Sequence, residues 1–248
     1  MNTAAVMGGI SETSPRSLAR TAGVFQLLGY LTATFGQVVV VDRLVVQGNA
    51  AATAANIVGH ERLFWLGFAS AVTGVVFHIA WALLLYDLFK PVNRRVSLFA
   101  MFIMLVGCAI HVLASVLYVA PMLILNASRS LSALTPEQLQ ALAYVFLRVN
   151  GYAFNTFLIF FGLWLLLIGF LIFRSTFLPR VLGVLVAISG LGWSMYLVPP
   201  LASHLFMPYI AGASGLGEIP LLLWFLVVGV NPQRWKEQAC AAEAAIRV

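Results

Sequence analysis

Ionisable side chains inside long apolar segments are the residues of this chain whose types and positions could do chemistry. His78 and His111 fall near the middles of two successive apolar segments, and Arg148 and Glu218 lie where two later ones begin. Ionisable groups in such segments are costly and usually face a bundle interior or a water-filled cavity. The uncharged Asn155 lies on the same segment as Arg148. The candidate lining of a polar cavity is therefore His78, His111, Arg148, Asn155 and Glu218.

The two histidines admit two interpretations. Imidazoles at similar depth on adjacent antiparallel helices could bind a haem iron axially or hold a transition metal. Alternatively, each imidazole bonds a neighbouring carbonyl or hydroxyl group and fastens helices together. The sequence shows no third metal ligand. Whether a metal binds is therefore unknown, and we predict no cofactor. Haem held between His78 and His111 is kept as an alternative.

Arg148 and Glu218 also have two interpretations. A buried pair could close an outward-facing cavity or bind a zwitterionic or anionic ligand. In the structural alternative, the helix dipole favours a carboxylate at Glu218, and Arg148 extends to the lipid headgroups. The sequence shows no phosphate-binding glycine loop, no paired acid–base carboxylates and no Ser/His/Asp constellation. We therefore name no catalytic residue and do not expect an enzyme.

The composition of the chain predicts a membrane protein. Of its 248 residues, 62% are hydrophobic and 9% are charged, which is too apolar for a soluble globule. Six apolar segments approach the roughly 20 residues that a membrane-spanning helix needs. We predict an all-α, six-helix membrane domain arranged as three helical hairpins, with spans at 22–41, 64–89, 96–125, 149–173, 181–198 and 216–230.

The distribution of basic residues predicts the orientation of these spans. Ten of the 14 lysines and arginines lie on the side of the chain termini and four on the other side, so both termini are expected in the cytoplasm. We divide the chain into a disordered cytoplasmic arm (1–20), a membrane domain (21–232) and a short cytoplasmic tail (233–248). The basic residues form no stripe, which argues against nucleic acid and leaves membrane lipids as expected partners.

Small residues recur on both arms of the hairpin at 157–192. Counted outward from its turn, Gly169 lies opposite Gly183, and Gly162 lies opposite Gly190. Small residues at matched depths let membrane helices approach closely. We therefore predict tight packing of the two arms, and similar faces could also support a homo-oligomer.

Three local patterns predict structure outside the spans. The alanine-rich residues 49–58 indicate a short surface helix. Thr135, with Pro136 and Gln138 after it, is typical of a capped helix start that continues into the fourth span. Residues 201–217, with one proline and three glycines, are expected to form an irregular loop.

Four aromatic residues with a polar N–H or O–H group fall into two pairs by their position in the apolar segments. Trp81 and Trp164 lie deep in their segments, so they are expected to pack between helices. Trp193 and Tyr196 lie near a span end, so they are expected to anchor the chain at the membrane interface.

Four stretches of the chain resemble a known protein family. GNAAATAANI, KPVNRR, FFGLWLLLIGFLIFRSTFLPRVLGVLVAISGLGW and GEIPLLLWFLVVGVN are similar to the DUF4386 family of bacterial integral membrane proteins of unknown function. The resemblance covers most of residues 20–232. It implies a multi-pass protein of the bacterial cytoplasmic (inner) membrane, and it carries over no catalytic or binding residue.

The residues support three functional hypotheses. The leading one is a protein, transporter-like or sensory, that binds a small molecule or lipid in a polar intramembrane cavity. The second is a membrane redox protein that holds haem between two histidines. The third is a structural or accessory subunit whose outer face binds a partner, in which case the small-residue surfaces would be partly exposed.

Overall fold

Helices account for nearly all of the chain that the structure describes. The computed structural model describes residues 14–127, 133–200, 202 and 209–246, and those residues contain no strand. The helices are α1 (Pro15–Leu44), α2 (Ala50–Gly59), α3 (Glu61–Phe89), α4 (Arg94–Asn126), α5 (Pro136–Arg174), α6 (Arg180–Leu197), α7 (Ala211–Val227) and α8 (Pro232–Ile246). The last turn of α6 is a 3₁₀ turn.

Several of these helices are long and apolar enough to cross a membrane. Among the described residues, α1, α3, α4, α5 and α6 each meet that criterion, which gives five candidate spans. Helix α7 has only 17 residues, so it is about 26 Å long at 1.5 Å per residue. Most of α7 and most of α8, taken together, are long and apolar enough for a span, but the chain bends by 103° between them. The all-helical prediction is confirmed, with five to six candidate spans.

The six long helices form a closed ring in the described structure. Helix α1 packs on α3, α3 on α4, α4 on α5, α5 on α6, α6 on α7, and α7 returns to α1. The short helix α2 packs against α5 at one end of the ring. Large aromatic side chains occupy much of the centre. The ring therefore brings side chains from α1 and α7 to a common interior.

The predicted contact between the two glycine-bearing arms is present. A methyl group added at Gly162 would lie 2.7 Å from the carbonyl oxygen of Gly190, and one added at Gly169 would lie 2.7 Å from that of Gly183. Backbones this close leave no room for a side chain. The four glycines are thus used within the chain, so they do not offer the exposed small-residue surface that the subunit hypothesis invoked.

Capping side chains begin three of the helices as their sequences indicate. The Asn49 side chain accepts a hydrogen bond from the backbone N–H of Ala52 and starts α2. Thr135 and Gln138 form a reciprocal capping box at the start of α5. The Asn93 side chain caps α4 in the same manner. Both helix starts predicted from sequence are therefore confirmed.

The two ends of the chain are more helical than the sequence suggested. Helix α1 already begins at Pro15, where proline suits the first helical turn. The expected disordered arm of residues 1–20 therefore does not include residues 15–20, and residues 1–13 lie outside the described part of the chain. At the other end, the expected tail forms α8. There Trp235 Nε1 donates to the Leu88 carbonyl oxygen at 2.9 Å.

The prediction of an irregular loop was wrong for residues 211–217, which belong to α7. Gly217 is buried there against the backbone of Leu185 in α6, and an added methyl group would collide with it. Gly217 permits the close contact between α6 and α7, and α7 continues through it without a break. Residues 201 and 203–208 of the predicted loop lie outside the described part of the chain.

Candidate functional site

A half-open cavity of about 520 Å³ lies among the helices of the ring, with walls from α1, α3, α5, α6 and α7. It extends from His78, near the middle of α3, to Asp42, near the end of α1. This is the half of the bundle that carries α2. Three of the five predicted residues line this cavity: His78, Asn155 and Glu218.

Glu218 is the buried carboxyl group of this cavity. Its residue is 7% exposed, and Trp193 Nε1 donates a hydrogen bond to its Oε1 at 2.6 Å. The Tyr30 hydroxyl lies close to the same carboxyl group. The Gln26 amide reaches the backbone oxygen of Glu218 at 3.4 Å and the Tyr30 hydroxyl at 3.3 Å. Helices α1, α6 and α7 therefore position this group jointly.

Glu218 has no ion-pair partner in the described structure. Within the described residues, the single salt bridge joins Lys90 to Asp87, both exposed at the α3–α4 turn. The described lining of the cavity includes a second carboxyl group, at Asp42, but no lysine or arginine. The described lining therefore holds two carboxyl groups and no basic side chain other than the His78 imidazole.

A π-helical turn interrupts α1 beside the cavity. It covers Phe35–Val39 and includes Gln37, which lines the cavity and is buried. The Nε2 atom of Gln37 has no hydrogen-bond partner among the described residues. Single π turns occur often at functional sites because they change the direction of the side chains that follow. Periodicity alone would not reveal this turn.

His78 lies at the inner end of the cavity and packs on α1. Its Nδ1 lies 2.7 Å from the Gly74 carbonyl oxygen, which can only accept, so Nδ1 donates. A methyl group added at Gly29 would contact the imidazole ring at 3.3 Å. In the neutral ring, Nε2 is then the remaining acceptor.

His111 is fully buried and does not line this cavity. Its ring stacks on Phe157 with centroids 4.7 Å apart, and the same phenyl ring contacts His78 at 5.8 Å. A haem between the two imidazoles would need a slot that Phe157 occupies in this arrangement. In the described structure, no three His, Cys, Asp or Glu residues are close enough together to hold a metal ion. These residues therefore do not fit a haem site as they are placed.

Arg148 lines a second cavity of about 480 Å³, which adjoins the first. The two cavities share walls at Val41, Leu147, Gly151, Asn155 and Tyr196. Arg148 is exposed, and its Nη1 donates to Gln47 Oε1 at 3.2 Å. Arg148 and Glu218 thus lie in neighbouring cavities and do not form the pair considered from the sequence.

Aromatic packing fills the interior beyond His78. Trp81 and Trp164 are fully buried, with ring centroids 4.5 Å apart in an edge-to-face arrangement. Tyr30 packs edge-on against Trp81 at 5.6 Å. The prediction that these two tryptophans pack between helices is confirmed. The bundle is therefore filled in one half and hollow in the other.

Sequence reasoning missed three side chains of the site. Trp193 was expected at the membrane interface, but its indole N–H bonds Glu218 inside the bundle. Tyr30 is not among the predicted residues, although it also lies close to Glu218. Asn150 is buried, lines the cavity and donates to the Ala114 carbonyl oxygen at 2.8 Å. Asn150 offered a signal, because it is a second amide in the same apolar segment as Asn155.

Among the described residues, this arrangement has the groups of a ligand pocket and shows no nucleophile paired with a base. It combines one buried carboxyl group, amide and imidazole groups, and many aromatic rings in a cavity of ligand size.

No curated protein and no solved structure is significantly similar to the chain. The sequence profile of one family, described as a domain of unknown function (DUF4386), matches residues 21–229. Since this match covers most of the chain and all the helices that build the cavity, the protein belongs to the DUF4386 family.

Proposed function

We propose that this protein binds a small molecule or lipid in the polar cavity of its membrane domain, as a transporter-like or sensory protein. The observation that carries the proposal is the convergence of His78, Asn155 and Glu218 on one cavity of about 520 Å³. Ligand sites commonly enclose roughly 300–1,000 Å³ and combine apolar walls with a few polar groups. Polar residues that served only to join helices would be scattered among separate helix contacts.

The proposal includes an orientation in the bacterial inner membrane. We place six spans in it, as three hairpins with both termini in the cytoplasm, because the basic residues concentrate on that side. The hollow half of the bundle, which carries α2, then faces the periplasm. A ligand would enter from that side, and the aromatic layer around Trp81 and Trp164 would close the path toward the cytoplasm.

Gly151 offers a direct test, because it lines both cavities. A methyl group added there meets no atom within 4 Å, so Gly151→Leu should fold and fill part of the space. We expect the wild-type protein, purified in mild detergent, to retain a bound lipid or metabolite that mass spectrometry detects after extraction. The variant should retain less of it.

Gly59→Leu is the matched control, since an added methyl group there also meets open space and Gly59 lines neither cavity. The control should retain the wild-type amount. Equal retention in all three proteins, or no bound molecule in the wild type, would argue against a ligand-binding cavity.

A further inference from the structure

We infer that the ligand of the Glu218 cavity is an organic cation, an amine or quaternary ammonium compound with an apolar body. This inference rests on the proposed function and adds the class of ligand. It depends on three features of the cavity: its unpaired buried carboxyl group, its aromatic walls and the sign of its charges.

The carboxyl group is the first feature. Glu218 is 7% exposed, and its donor Trp193 and its neighbour Tyr30 are both neutral side chains. A buried carboxylate without a cation is costly, and a cationic ligand would compensate its charge. Within the described structure no protein cation takes that place. The position opposite the carboxylate is therefore suited to a positively charged group.

The aromatic walls are the second feature. The rings that line the cavity are Tyr30, Phe154, Phe157, Phe161, Trp193 and Tyr196. Several pack against one another around Glu218: the Trp193 ring lies 6.4 Å from Phe161 and 6.3 Å from Tyr196. The faces of such rings attract ammonium groups, and groups of several rings recognise quaternary ammonium ligands.

The remaining polar groups agree with a cation. Asp42 adds a second carboxyl group toward the end of α1, and the described lining contains no lysine or arginine. The imidazole of His78 donates through Nδ1 to its own helix, so its neutral form offers Nε2 as an acceptor for an ammonium N–H. The Arg148 side chain lines the adjoining cavity, where it would repel a cation or meet an anionic group on the same ligand.

A pair of isosteric probes tests the inference on the purified protein in detergent. Benzyltrimethylammonium carries the charge, and neopentylbenzene has the same shape without it. We expect calorimetric titration to give a dissociation constant at least about tenfold lower for the cation, the order expected when a carboxylate and aromatic faces act together on a desolvated ammonium group. Equal affinities, tighter binding of the neutral probe, or no binding of the cation would overturn the inference.

Glu218→Gln assigns the preference to the carboxyl group, because it keeps the shape of the side chain and removes its charge. It should abolish the roughly tenfold preference, whereas Glu237→Gln on the exposed face of α8 should retain it. A preference that survives in Glu218→Gln would overturn the inference. If that variant does not fold, Tyr196→Leu provides a second test, with a loss of preference expected and the exposed Phe170→Leu as its control.

The outcomes separate this inference from the proposed function. If the neutral probe binds as tightly as the cation and Gly151→Leu blocks both, the cavity binds ligands but not as cations. If neither probe binds and the wild-type protein retains no extracted molecule, both the ligand class and the binding function are wrong.

Discussion

At Glu218, side chains from two neighbouring helices surround one acidic group with neutral partners. Trp193 from α6 donates to Oε1, and Tyr30 from α1 contacts the same group. A buried acceptor that loses its donor retains most of the desolvation cost without the compensating bond. The indole N–H of Trp193 should therefore contribute to stability as well as to the shape of the site.

Trp193→Phe should lower the free energy of unfolding by about 1–3 kcal/mol, because Oε1 of Glu218 loses its donor. Thermal unfolding in detergent micelles would measure the change. Trp65→Phe is a matched control, since Trp65 Nε1 donates to Glu61 Oε1 at 3.2 Å in an exposed position. The control should change stability by less than about 0.5 kcal/mol. Equal losses in both variants would contradict a special role for the buried bond.

Helices of this protein gain their positions from small residues and from one irregular turn. Glycines permit the close approach of α5 to α6, and Gly36 permits that of α1 to α3, where an added methyl group would lie 2.5 Å from the Gly67 carbonyl oxygen. The same stretch of α1 forms the π turn that includes Gln37. Close packing on one side of a helix thus coincides with a cavity on the other.

Gly169→Ala should destabilise the α5–α6 contact, because its methyl group would lie 2.7 Å from the Gly183 carbonyl oxygen. Overpacking of this kind costs about 1–3 kcal/mol. Gly151→Ala on the same helix meets open space, so its stability should stay unchanged or rise by up to about 1 kcal/mol. The unfolding midpoints of the two variants should move apart. A shift in the same direction and of similar size would contradict the packing argument.

The whole molecule is asymmetric along the bundle. Aromatic side chains fill the half near the α3–α4 turn, while the half near α2 contains both cavities. Helix α8 lies at the filled end, where Thr176 and Gln238 are hydrogen-bonded at 3.0 Å. In the orientation that we propose from the basic residues, the filled end faces the cytoplasm.

Cysteine labelling of intact cells tests this orientation without disturbing the core. Cys240 on α8 is exposed, and Cys108 is buried. A membrane-impermeant maleimide should label wild-type Cys240 only after the cells are permeabilised. Ala51→Cys, made in a Cys240→Ser background, should be labelled in intact cells because residue 51 is exposed on α2. The reverse pattern would place the cavities on the cytoplasmic side.

Local chemistry explains which parts of the fold the sequence could predict. A capping box needs only residues three apart, so Thr135 and Gln138 were recognised as a helix start. The hairpin at 157–192 is short in sequence, so counting outward from its turn was enough to pair its glycines. The length of the apolar segments predicted the long helices, because a segment that crosses lipid must satisfy its backbone hydrogen bonds internally.

The site depended on distances that the sequence does not contain. The length, composition and basic residues of the chain by themselves determined an all-helical protein of membrane type. They also showed that several polar residues must face the interior of the helix bundle. Only the ring closure of α7 onto α1 brings Glu218 to Tyr30 and Gln26, about 190 residues away along the chain. The tertiary structure also decided that Arg148 lies in a separate cavity, and that Phe157 lies against both histidines. Side-chain convergence follows from helix packing and rotation, which hydrophobic periodicity alone leaves undetermined in a chain that is apolar on all faces.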